Sequence, residues 1–350
     1  MIYEPEKEYY IMTPGLMQSR SIAYLLKSMG IKTIAVVDDD NIVRKHFFYE
    51  YYSDYININD LYKKIKGQKE VRNIIPTGAA STKKLLLKWN VRLGSVVATK
   101  ENLLVFDKSS FLDRAETGGI KIPKTWTSVE DIPDNSYPIF YKQGVELGGG
   151  TRGVAYTKDD IPLEDNLIYQ EYIDSKGTYG VGFLAKEGRI ITYHAHWEKE
   201  SYPQSGGSAV LIEIIKDQKL IKATEKLISV FAFSGWGLAE WKYNPRINDY
   251  VLMEINAKFW ASCEFAFRND RCFLKELFGC NKNDEYIDKM CFMELAFERG
   301  WMFMVRNILA IIQSKKILRC FSIKEVLFSF VPHFFRPIIK KTYNIFVKRS

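Results

Sequence analysis

The sequence predicts a mixed α/β (α+β) fold, and three observations carry that expectation. Short apolar runs alternate with helical repeats in the first hundred residues. From Asp107 onward the pattern changes to brief strands divided by glycine-, asparagine- and proline-containing turns. The last fifty residues are apolar, aromatic and basic. At 350 residues the chain exceeds a single hydrophobic core, so two or three lobes are expected. With 47% hydrophobic and 14% aromatic residues, it has the material for a substantial core and lies outside the disordered class.

The first lobe reads as βαβ grammar. Tyr9–Thr13 is a strand, Pro14-Gly15 a turn, and Ser19–Met29 a helix with Ile22, Leu25, Leu26 and Met29 at helical spacing. Gly30 ends that helix, and Thr33–Val37 is a second buried strand leading to Asp38-Asp39-Asp40, a solvated strand end. Val71–Ile75, the loop PTGAAST and a helix Lys83–Trp89 repeat the unit, which predicts a small doubly wound lobe over residues 1–100. It lacks GxGxxG, so no nucleotide is indicated there.

Asp107-Lys108 then opens a helix (Ser109–Glu116) that Gly118-Gly119 stops, and Thr125–Thr127 is a strand. Tyr137–Lys142 is a strand ending in a lysine, followed by GVELGGGTRGVAY. Gly148, Gly149, Gly150 and Gly153 let backbone N–H groups approach a phosphate, Lys142 and Arg152 bring positive charge, and a plain hairpin turn is the alternative. Leu167–Gln170 continues into Glu171-Tyr172-Ile173, and strands follow at Tyr179–Ala185 and Arg189–His196. His194 and His196 alternate on one face without a third ligand and read as surface polarity rather than a metal site. Leu220–Phe231 is an amphipathic helix, Ser234–Gly237 a turn, Leu238–Tyr243 a strand carrying Glu240, and 244–249 a hairpin loop.

The hairpin leads into DYVLMEINAKFW, Asp249–Trp260. Here Glu254, Asn256 and Lys258 alternate, which puts a carboxylate, an amide and an ammonium on one strand face. Such a row suits Mg²⁺ beside a phosphate, because that ion takes few protein oxygens. Taken alone it also fits an edge strand with its polar side in water. Glu240 faces Glu254 across the hairpin, where bare like charges repel and a bound cation would relieve them.

The set of Asp-Lys before a helix, a strand ending in Lys, a glycine-rich loop, Gln-Glu-Tyr-Ile, and two carboxylate strands closing on Glu-x-Asn resembles the ATP-grasp superfamily. Within it the chain is similar to the carboxylate–amine ligases of the carbamoyl-phosphate synthetase large-chain type, from Phe106 to Gly279. The resemblance implies an N-terminal pre-ATP-grasp lobe (1–100), a two-lobed ATP-grasp domain (101–300, lid about 126–170) and a helical extension (301–350). It implies that Lys108 and Lys142 hold the ATP phosphates, that Gly148, Gly149, Gly150 and Gly153 form the lid loop, and that Gln170, Glu171 and Ile173 are the adenine hinge. Glu240, Glu254 and Asn256 would be the Mg²⁺ ligands, with Lys258 near the transferred phosphoryl group; Arg152, from its charge beside the glycine loop, joins Lys258 as a candidate catalytic residue. Where many relatives carry a ribose-binding Glu this chain has Gly177-Thr178-Tyr179-Gly180, which shifts that role to Glu171 or Tyr179. Gly206-Gly207-Ser208 is similar to the acceptor loop of proteins from small-peptide and surface-polysaccharide pathways. The implied activity is ADP-forming ligation of a carboxylate to an amine through an acyl phosphate. A non-catalytic ATP-binding scaffold is the alternative, disfavoured because no site charge is missing. Trp260, Arg152, His196 and Arg268 are candidate contacts to the small-molecule acceptor.

The net charge of +8 is uneven. Residues 301–350 hold ten Lys/Arg against Glu325 alone, so the remainder carries about −1, which excludes a nucleic-acid footprint over the body. Five cysteines without a CxxC pair suit reduced thiols in the cytoplasm, and neither a secretory signal nor an 18-residue apolar run is present. In the tail, Trp301–Ile312 reads as one apolar helix and 326–335 as a second cluster. Two expectations stand for it: a peripheral seat on an anionic inner membrane surface, or packing on the preceding domain.

Overall fold

The computed structural model describes residues 8–38, 51–68, 70–93, 99–145, 150–203, 207–280 and 286–314. The chain is mixed α/β and builds three main sheets. The first begins with β1 (Glu8–Met12), α1 (Met17–Ser28), β2 (Lys32–Val37), β3 (Asp54–Asn57) and α2 (Ile58–Ile65). Next come β4 (Glu70–Val71), β5 (Ile74–Pro76), α3 (Ala79–Lys83, continued as a π-helical turn to Lys88) and β6 (Arg92–Leu93). Four strands are parallel in the order β3-β2-β1-β5, while β4 and β6 form a separate parallel pair.

The run expected as one strand at 71–75 is therefore two, because Val71 pairs with Leu93 whereas Ile74 pairs with Tyr10. The helix expected at 83–89 starts at Ala79: the Gly78 carbonyl accepts from the hydroxyls of Ser81 and Thr82 at 2.9 Å each, turning PTGAAST into a helix entry. Helix α1 buries Ile22, Leu25 and Leu26 against this sheet.

Helix α4 (Lys108–Thr117) follows, capped by the Asp107 carboxylate, which accepts from Ser110 N–H at 3.2 Å. Residues 125–171 then make a small antiparallel sheet of β7 (Thr125–Trp126), β8 (Ile139–Gln143), β9 (Arg152–Ala155) and β10 (Leu167–Glu171), in the order β7-β10-β8-β9. The largest sheet contains β11 (Thr178–Lys186), β12 (Arg189–Tyr202), β13 (Ser208–Ile214), β14 (Gly235–Asn244), β15 (Asp249–Asn256) and β16 (Lys289–Cys291). Its order is β15-β14-β11-β12-β13-β16, antiparallel throughout. Helix α5 (Gln218–Val230) covers one face, packing Leu220, Leu227 and Ile228 into a core with Phe183, Trp241 and Leu252. On the other side α6 (Cys263–Asn269) and α7 (Cys272–Phe278) join the large sheet to the first through Phe267, Phe273 and Phe278. The described chain ends with α8 (Met293–Glu298), α9 (Trp301–Arg306) and α10 (Ile308–Ser314).

Three expectations change. Gly235–Gly237 is strand rather than turn: a Cβ on Gly237 would stand 2.8 Å from Phe183 Cζ, so the residue is small to admit an aromatic ring. His194 and His196 are buried, not on the surface, with the His194 ring edge-on to Phe265 of α6. Burial, and secondarily the charge of His196, pushes the His194 pKa down to about 3, so that ring stays neutral at ordinary pH. The helix expected over 301–312 is broken at Asn307 into α9 and α10. Cys263, Cys272, Cys280 and Cys291 are free, and among the described residues no helix is long and apolar enough to cross a membrane.

Candidate active site

A cavity of about 820 Å³ opens between the large sheet, the small antiparallel sheet and the loops that follow β1 and β5. The period of two in β15 aims Glu254 and Asn256 at it, and the register sets Glu240 of β14 directly opposite Glu254. Two carboxylates in that position repel, and the surrounding donors show how the chain tolerates them. The Asn256 amide donates to Glu240 Oε1 at 2.9 Å and to Glu254 Oε1 at 3.0 Å, while Lys258 Nζ donates to Asn256 Oδ1 at 3.0 Å. Lys108 Nζ stands 2.9 Å from Glu254 Oε2, and Lys142 Nζ 3.7 Å from the same oxygen. Lys142 also donates to the Met253 carbonyl at 3.1 Å.

These contacts divide the pair electrostatically. Burial works against the Glu254 anion, but Lys108, Lys142 and Lys258 outweigh it and hold its carboxyl far below the usual range. Glu240 is pushed the other way, by burial first and then by the charges of Glu254 and Glu198. Burial brings Lys142 down to about 8 despite the opposing pull of Glu254.

The donor set fits a small hard cation that shares its coordination with phosphate and water. Two carboxylates and one amide are present, and among the described residues no three His, Cys, Asp or Glu side chains cluster as a protein-only metal cage. The amide now turns its N–H groups to the carboxylates, where it does the charge-relieving work a cation would do; a cation there calls for Asn256 Oδ1 facing inward, the amide turned over.

The remaining sequence-selected residues separate into two groups. Gly150, Arg152, Glu171, Ile173, Lys258 and Trp260 border the cavity. Gln170 does not: it is fully buried behind the wall, its amide donating to Thr125 Oγ1 at 3.2 Å, because the strand period turns it away from Glu171. Gly153 sits under Tyr141, whose Oη would lie 2.5 Å from a Cβ there. Gly148 and Gly149 lie outside the described residues. Thr178 borders the cavity, whereas the Tyr179 ring is off its wall and packs edge-on against Tyr250; of the two residues expected at a ribose, only Glu171 lines the cavity. His196 and Arg268 are not on the wall; Arg268 is buried in an ion pair with Glu264.

Glu198, Lys242, Leu16, Gln18 and Gly78 also border the cavity and were not anticipated. Extending the His194, His196 alternation by one step would have found Glu198, since β12 runs on to Tyr202. Lys258 leaves β15 on a segment pinned at both sides: Phe259 stacks on Trp236 with centroids 4.1 Å apart, and Trp260 fills the space over Gly182. A Cβ at Gly182 would lie 2.2 Å from Trp260 Cζ2. Gly182→Ala is therefore expected to displace the indole and to cost about 1–3 kcal/mol. Urea unfolding followed by tryptophan emission checks this, and a wild-type midpoint would show that the indole has room to spare.

No protein-family profile matches the chain, and no curated protein matches it. Solved structures do. The chain is similar to N5-carboxyaminoimidazole ribonucleotide synthetase in its ADP complex, with a TM-score of 0.61 and 12% identity over 88% of this chain and 86% of that one. It is similar to biotin carboxylase from Campylobacter jejuni in its beta-gamma-ATP complex (TM-score 0.58, 15% identity, 81% and 75%). L-amino acid ligase from Bacillus licheniformis is a third (TM-score 0.55, 11% identity, 76% and 70%).

Proposed function

Because the chain has the ATP-grasp fold, we propose that it is an ATP-dependent, ADP-forming ligase joining a carboxylate to an amine. The observation that carries this reading is the convergence of Glu240, Glu254, Asn256, Lys108 and Lys142 on one wall of one cavity. Phosphoryl transfer asks a protein mainly for cations that align the γ-phosphate and spread its charge, and this wall supplies them. Lys108 and Lys142 bind phosphate oxygens, while Glu240, Glu254 and Asn256 hold Mg²⁺, which when bound neutralises the phosphate charge. Lys258 and Arg152 face the transferred group. At the other end Ile173, clustered with Val251 and Met253, gives the base an apolar seat beside the Glu171 backbone.

In the first step an oxygen of the substrate carboxylate bonds to the γ-phosphorus and ADP leaves. In the second the amine nitrogen attacks the acyl carbon, phosphate leaves, and the amine gives up a proton. Residues 1–100 serve as the pre-ATP-grasp lobe, 101–300 as the ATP-grasp domain with 126–170 as its lid, and 301–350 as an extension. Free cysteines and a need for ATP suit the cytoplasm.

The test is ADP release with Mg·ATP across amino acids, as for a small-peptide pathway, and sugar acids, as for a surface-polysaccharide pathway, each with an amine partner. Release that needs both substrates, with amide product by mass spectrometry, is the expected result. Tight Mg·ATP binding without turnover on any pair would favour a non-catalytic scaffold.

A further inference from the structure

Helix α10 buries one face, and α9 only half-buries Phe303 and Met304. Ala310, Ile311 and Ser314 pack on β13 and β16, where Ser314 Oγ accepts from Cys291 N–H at 2.6 Å, and Phe303 and Met304 join the same cluster. The opposite face carries Trp301, Met302, Val305, Ile308, Leu309 and Ile312, with Trp301 75% and Leu309 74% exposed. A helix face turned to water is normally polar, so six large apolar side chains at helical spacing mark a contact surface. Its electrostatics narrow the partner. Residues 301–314 contain no acidic residue and one cation, the exposed Arg306, and the sequence from 315 to 350 adds nine Lys/Arg against Glu325 alone. Two copies of so cationic a segment, residues 301–350 in sequence, would repel each other. An anionic bilayer attracts such a segment, and short helices with a tryptophan at one end and Arg306 beside an apolar face suit the headgroup boundary.

We propose that the exposed face of α9 and α10 docks on an anionic membrane surface. The start of α9 is tied to the cavity wall, because Arg299, just before it, is paired at 2.7 Å with Glu200, and Phe292, just after β16, also lines the cavity. The proposal does not depend on the ligase reading, and binding is scored without catalysis.

The experiment is sedimentation of the full chain with phosphatidylcholine vesicles, with and without phosphatidylglycerol, at low and high salt. Co-sedimentation is expected only with phosphatidylglycerol and is expected to fall as salt rises. Val305→Glu with Leu309→Glu, both on side chains already turned to solvent, is expected to weaken binding about tenfold or more while unfolding stays at the wild-type midpoint. Three results would overturn the proposal: no partition of the full chain onto phosphatidylglycerol vesicles; equal binding by the double variant, which would leave the cations alone responsible; or a double variant that changes oligomer mass or loses stability, which would mean that protein covers this face.

Discussion

Glu254→Gln is expected to lower Mg²⁺-dependent ADP formation by at least about 10²–10³-fold while the protein stays folded. Glu254 is the carboxylate that both Lys108 and Lys142 approach, at 2.9 and 3.7 Å, and the one those cations keep ionised. Glutamine preserves its shape and its acceptor for the Asn256 amide. What disappears is the charge that pairs with a divalent cation. Glu240, held up by burial and by the Glu254 anion, is expected to fall back toward the ordinary carboxyl range in the variant. Turnover and circular dichroism on the same sample check the prediction, and wild-type turnover at ordinary Mg²⁺ would remove Glu254 from the proposed metal set.

Arg268→Met is expected to cost about 3–5 kcal/mol of stability. Arg268 Nε and Nη2 donate to Glu264 Oε1 at 2.8 and 2.6 Å, and both side chains are buried, at 3% and 0% exposure. Removing the guanidinium takes both of these donors from a carboxylate oxygen in the interior. Adding Glu264→Leu to Arg268→Met should recover much of the loss, because the penalty belongs to the stranded charge rather than to missing attraction. Urea midpoints of the single and double variants decide it; a single variant within about 1 kcal/mol of wild type would show that water or another group reaches Glu264. The pair sits on α6, which packs on α1 and on β12, so it braces the seam between the first sheet and the large one.

Much of the charged wall of the cavity was legible because its signal is local. A strand period of two ties Glu254 to Asn256, and a hairpin loop sets Glu240 opposite, so spacing alone placed three side chains that the structure brings together. The Asp107 cap and Lys142, one residue from the end of β8, are local in the same sense. What was not legible depends on partners far along the chain. Gly235–Gly237 looks like a turn until Phe183, fifty residues earlier, is seen to need the space. Nothing near Gln170 tells which way β10 faces; Thr125 decides it. Strand β3 and helix α2 were missed although Asn57 caps the helix and Ile58, Leu61 and Ile65 keep helical spacing, because four half-exposed strand residues and eight helical ones give too short a pattern to stand out. The β12 extension to Tyr202 hides in a charged run, Glu198 to Glu200, that reads as loop without its β13 partner.

The loop after β1, the first turn of α1 and the loop after β5 bring Leu16, Gln18 and Gly78 to the cavity, whereas the glutamates, Asn256 and Lys142 ride on antiparallel strands. The two sides of the cavity are thus held by different kinds of structure. Strand residues are locked by their ladder, and a slip of one position would turn every one of them away. Loop residues are tied to the frame only at their ends and tolerate change in length and identity. Substitutions at Leu16 or Gly78 can therefore reshape that end of the cavity without disturbing the strand register that sets Glu240 opposite Glu254.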